Sequence, residues 1–146
     1  MKYDYHQYDY QQTDLSRSIL AGLFTGIVAT IGNLIFIFIY VRITTVYTFN
    51  LMDGFTTIFG TVILLIVCGI FFYFFVHYLK RGVNIYRVLV FLTTAIILYV
   101  GWQFHPHSGN TIPPEFRVLF MGTQLIIGGL AAFLIPYLFR HDSIIS

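Results

Sequence analysis

Few residues of this chain could do chemistry, and what matters first is which of them share a place. His105 and His107, separated by Pro106, fall on the same side of the apolar segments as Asp53 and Glu115. Two imidazoles and two carboxylates are donors that a zinc-like ion accepts. The His-Pro-His spacing lacks the i, i+4 geometry by which a helix aims two rings at one point. The plainer expectation is a set of solvated loop residues, with Asp53 capping the helix that begins near Phe55.

A haem held by two histidines needs both at one depth on facing helices. His77 lies near one end of its apolar segment and His105 beyond the opposite end of the next, so the two are a membrane apart. His77 alone, within GIFFYFFVHYLKR, could hold a pigment or meet a lipid phosphate beside Lys80 and Arg81. Aromatic residues surround that segment on every side, as on a lipid-facing surface, which favours an interfacial histidine. Cys68 is the single cysteine, so no disulfide or cysteine-based metal framework forms within one chain. Its apolar setting favours an inert thiol. No serine or cysteine has a base at usable spacing, so the chain is read as non-enzymatic and without a cofactor.

The elements that position these residues follow from composition. Hydrophobic residues make up 58% of the 146, charged residues 10%, and the mean hydropathy is +0.80. Soluble domains carry about a quarter charged residues, so this chain belongs in a bilayer. The net charge of +2 is scattered rather than clustered, which excludes a nucleic-acid surface. Four segments are long and apolar enough to span, at about 19–41, 55–79, 88–104 and 116–139. Hydrocarbon tolerates no bare backbone, so each is predicted to be a helix, giving an all-α, four-helix integral membrane bundle over 19–139. A Tyr/Asp-rich tail, 1–18, precedes it and a short tail, 140–146, follows. The first span is not a cleavable signal, because three aspartates precede it and no small-residue cleavage site appears.

Four spans put both termini on one face. Lys2, Arg17, Lys80, Arg81, Arg87 and Arg140 collect there, against Arg42 and Arg117 on the other face. That imbalance predicts both termini in the cytoplasm. Tyr40, Tyr47, Tyr99 and Trp102 then mark the outer headgroup level, and Tyr78, Tyr86 and Tyr137 the inner one. The chain is expected to turn at Gly82, and Pro114 with Glu115 suits the start of the last helix.

Between lipid-bathed helices, small residues mark contacts. In AGLFTGIVATIGN, Gly22, Gly26, Ala29 and Asn33 share one helix face. In MGTQLIIGGLAAFLIP, Gln124, Gly128 and Ala132 form a similar stripe flanked by Gly129. At 1.5 Å per residue the two stripes reach matching depths, about 6 and 12 Å from the inner face, with the polar amides in the outer half. The expectation is that Gly22 meets Ala132, Gly26 meets Gly128, and Asn33 hydrogen-bonds Gln124. No ionisable residue occupies the middle of a span, which argues against a pump. The deep threonines, Thr25, Thr30, Thr57, Thr61, Thr93 and Thr94, can bond their own helix backbone.

ILAGLFTGIVATIGNLIFIFIY and QLIIGGLAAFLIPYL together resemble small bacterial four-span membrane proteins of uncharacterised function, which open on a Gly/Ala-rich helix carrying an Asn and end on a Gly-Gly helix closed by Ile-Pro. The resemblance implies a multi-pass protein of the bacterial cytoplasmic membrane, and no activity. Its last helix often begins Met-His, whereas Met121 here precedes Gly122. Tyr3, Tyr5, Tyr8 and Tyr10, alternating around Asp4 and Asp9, offer contact area at low entropy cost and are read as a segment that orders against a partner. The chain is therefore expected to be a membrane subunit that packs by small-residue faces with copies of itself or with other membrane proteins. A small oligomeric channel or transporter is the alternative, and a pigment- or haem-binding subunit a third.

Overall fold

A computed structural model describes residues 13–44, 51–103 and 114–141, with 51–56 as backbone only. It contains four helices: α1 (Asp14–Thr44), α2 (Leu51–Tyr78), α3 (Gly82–Gln103) and α4 (Pro114–Arg140). All four are long and apolar enough to cross a membrane. Three of them, α1, α2 and α3, begin well before the apolar runs suggest. α1 starts at Asp14 because Thr13 caps it: Ser16 N–H donates to Thr13 Oγ1 at 3.3 Å and Arg17 N–H to the Thr13 carbonyl at 3.0 Å. α3 starts at Gly82 because Lys80 and Arg81 complete a tight turn after α2. A Cβ at Gly82 would run into the Phe75 carbonyl, so only glycine lets α3 begin so close to α2. α4 opens on Pro114 and Glu115, as expected, and runs past Pro136 to Arg140.

The helices alternate in direction, so the start of α1, the end of α2, the start of α3 and the end of α4 share one end of the bundle. The Arg17 guanidinium of α1 reaches the Phe139 carbonyl of α4 at 2.9 Å there. Both described chain ends therefore lie on one face.

The small-residue stripe of α1 does face a neighbour, but a different one from that expected. A Cβ on Gly22 would meet the Leu65 carbonyl and the Cα atoms of Ile66 and Gly69, and one on Gly26 would meet Val62. Gly69 answers from α2, its own Cβ position filled by the Ser18 carbonyl and Gly22. Glycine against glycine brings the α1 and α2 backbones together. Gly128 of α4 is not opposite Gly26: the Thr94 side chain of α3 fills its notch. Helices α1 and α4 lie side by side, yet they meet through Phe36 over Gly122 and Ile126 beside Gly32. Asn33 is fully buried with neither amide atom partnered, so the expected bond to the half-buried Gln124 is not formed. Ala29 and Ala132 are fully buried, whereas nothing lies within 4 Å of a Cβ placed on Gly129. Equal depth told where along each rod the small residues stand and not which way they point, and Gly69, alone among bulky neighbours, decided the pairing.

The core continues through Leu65, Phe72, Tyr86, Ile127, Ala131, Ile135 and Leu138. Tyr86 is 1% exposed and so is not the headgroup anchor expected of it, whereas Tyr78, Tyr99, Trp102 and Tyr137 are exposed rings. Thr25 and Thr94 donate to the carbonyls of Ala21 and Val90 on their own helices, which satisfies their hydroxyls without a partner helix.

Gly69→Ala should lower the unfolding midpoint of the purified protein in detergent, by about 1–3 kcal/mol of overpacking, because its obstacle is backbone and cannot swing away. Gly60→Ala, where nothing lies within 4 Å, should leave the midpoint unchanged or slightly raised. Equal effects from the two changes would contradict the α1–α2 contact.

Candidate functional site

The end of the bundle that gathers Arg17, Lys80, Arg81, Arg87, Arg140 and His141 is organised by a proline. Pro136 has no N–H, so the Ala132 carbonyl four residues earlier loses its helical donor. Arg87 of α3 supplies one: its Nε donates to the Ala132 carbonyl at 3.3 Å. Beside it the Tyr86 hydroxyl donates to the Ala131 carbonyl at 3.1 Å. The Arg87 guanidinium lies 5.5 Å from the centre of the Phe133 ring, within range of attraction to the ring face.

Aromatic contacts tie these groups to the other helices. Phe72 of α2 sits between Tyr86 and Phe139, edge to face with both at 5.0 and 5.3 Å. Arg17 of α1 closes the ring, its guanidinium 4.9 Å from the Phe139 ring centre while it bonds the Phe139 carbonyl and pairs with Asp14 at 3.3 Å. Phe139 lies in the last turn of α4, where helical carbonyls lack donors of their own. Each helix thus contributes at least one side chain to a shared knot at this end.

Outside the knot, between α3 and α4, an open groove of about 430 Å³ has Arg87, Arg140 and His141 at its lip and Leu130, Phe133 and Leu134 along its wall. His141 extends the end of α4: its Nδ1 donates to the Tyr137 carbonyl at 3.0 Å and its ring stacks on Tyr137 at 4.4 Å. His141 is exposed, and that bond engages Nδ1 and not Nε2. Arg87 and Arg140 have no carboxylate partner among the described residues. A second groove, about 370 Å³, lies between the same helices at the other end and is lined by Ile96, Val100, Phe116, Arg117 and Phe120.

Of the residues singled out by their chemistry, His77 and Glu115 are described with their side chains, and they stand on different helices, α2 and α4. His77 is exposed on the outer surface of α2, stacked on Tyr73 at 5.4 Å and edge-on to Tyr78 at 5.2 Å. His105 and His107 lie outside the described residues, as do Tyr3, Tyr5, Tyr8 and Tyr10. Asp53 is the third residue of α2 and so does not cap it, and Glu115 stands in the first turn of α4. Among the described residues no three His, Cys, Asp or Glu side chains group as metal ligands. Hydropathy starts the third span at 88, so the sequence presents Arg87 as one basic residue of its face and not as a donor from within a helix. A signal for it did exist: a proline inside a predicted helix calls for a donor from elsewhere.

In wild type, Arg87→Leu should cost about 1–3 kcal/mol by stranding a carbonyl. In a Pro136→Ala background, where the N–H is restored, the same change should cost much less. Additive effects in such a double-mutant cycle, measured by unfolding in detergent, would disprove the link.

Comparison of the chain with protein-family models, with curated proteins and with solved structures finds no match.

Proposed function

We propose that this chain is a non-enzymatic subunit of a membrane assembly, either a homo-oligomer or a larger complex, and that α3 is its contact helix. The observation that carries the reading is how little of α3 its own bundle covers. Only Gly82 and Tyr86 are buried, both within its first two turns. Beyond them Leu89, Phe91, Leu92, Ile96 and Val100 are exposed, with the smaller Thr93 and Ala95 exposed among them. Membrane helices gain little from apolar exposure as such and associate where small residues admit a neighbour. A helix so lightly held, carrying small residues outward, fits against another chain better than it fits alone. The basic end supports placing both termini in the cytoplasm, in the inner membrane of a bacterium if the sequence resemblance extends to location.

Native mass spectrometry after gentle extraction tests this. Wild type should appear as an oligomer or with other membrane proteins bound. Thr93→Trp should reduce the assembled fraction several-fold while circular dichroism and monomer unfolding stay unchanged. Extraction of wild type as a bare monomer would overturn the proposal.

A second reading, a solute path, has its own observation. Asn33, inside the bundle, and Thr30 one turn earlier both carry polar atoms without partners. Such a path would run within one chain rather than between copies. Solute flux into proteoliposomes containing this chain alone, abolished by Asn33→Leu, would favour it over the subunit reading.

A further inference from the structure

We propose that the groove between α3 and α4 at the basic end is a binding site for the headgroup phosphate and one acyl chain of an anionic phospholipid. The argument begins with Arg87. Its Nε is held by the Ala132 carbonyl and its plane lies by the Phe133 ring, so the guanidinium is fixed before any ligand arrives. Its two terminal amino groups remain to donate, and no carboxylate among the described residues neutralises them. A guanidinium donates to phosphate oxygens in a planar fork, which makes a fixed arginine a phosphate-binding group.

Two further donors stand at the same lip. Arg140 and His141 follow one another at the end of α4, and with Nδ1–H given to the Tyr137 carbonyl the Nε2 of His141 is a donor when the ring is charged. Depth matches a lipid. Arg87 lies five residues beyond Gly82, about 8 Å along the helix from its end, which is the level where headgroups give way to acyl chains. Below the lip, Leu130, Phe133 and Leu134 lie on adjacent positions of α4 and lead the groove into the hydrocarbon. A soluble anion would use the cations and leave this apolar wall empty, whereas a phospholipid matches both. The groove at the opposite end has the same helices but a single arginine, Arg117, so the charge complementarity belongs to this end.

The test uses the full chain, purified and delipidated in detergent, with native mass spectrometry counting bound lipid. Dioleoyl phosphatidylglycerol is titrated against dioleoyl phosphatidylcholine, which has the same acyl chains and no net charge, and a third arm adds inorganic phosphate. Phosphatidylglycerol should be retained in preference. Arg140→Gln, which removes no hydrogen bond within the described structure, should weaken that retention about fivefold, the effect of one basic residue near an anionic headgroup. Arg87→Gln should weaken it further, and Arg42→Gln at the opposite end should leave it unchanged. Equal retention of the two lipids would overturn the proposal. So would equal weakening by Arg140→Gln and Arg42→Gln, or displacement of phosphatidylglycerol by millimolar inorganic phosphate. None of these outcomes depends on whether the chain assembles with others.

Discussion

Hydrocarbon offers no hydrogen bonds, and that constraint governs this molecule from the backbone outward. Where Pro136 withdraws an N–H, the carbonyl of Ala132 must be served from another helix, and Arg87 serves it. For Arg87 and Tyr86 to face α4 from helical positions, α3 must already be a helix at Gly82. For α3 to start there, the turn after α2 must be tight enough that Gly82 lies on the Phe75 carbonyl. A missing donor in the last helix is thus met from the tight corner between α2 and α3. The resulting cation is fixed beside an apolar wall, which is what turns a basic surface into a groove with a shape.

The same dryness explains the uneven grip of the bundle. Without water to expel apolar surface, helices hold where their backbones approach, and α1 and α2 do so through Gly22 and Gly69. Helix α4 meets α1 through Phe36 over Gly122 and meets α3 through Thr94 against Gly128. Helix α3 packs on α4 through Thr94 and Gly101 but buries whole residues only in its first two turns. The interior is not uniformly comfortable: Ser18, Thr30 and Asn33 are buried with polar atoms unpartnered. An amide left bare costs about 1–3 kcal/mol, a cost that Asn33 carries inside the bundle.

Much of the architecture was legible from the residues. Four spans, their order and the shared face of the two ends follow from apolar runs long enough to cross and too apolar to do otherwise. The helix starts at Asp14, Leu51 and Gly82 precede the apolar runs, because a helical turn that carries polar residues does not register as hydropathy. Thr13 could have signalled the first start, as a hydroxyl residue followed by an aspartate. The basic end was visible as an excess of charge on one face. That Arg87 is a structural donor as well as a charge was not visible, since it depends on which carbonyl of α4 lies opposite.

The sequence by itself determined composition, spans and depth: which residues stand at which height in the bilayer, because rise per residue and membrane thickness are properties of one rod at a time. It determined that Gly22, Gly26, Ala29 and Asn33 form a face. Only the tertiary structure decided what that face meets. The rotation of each helix about its axis is settled by the simultaneous fit of four surfaces. One glycine on α2, Gly69, outweighs a whole matching stripe on α4 because, set against Gly22, it lets two backbones touch.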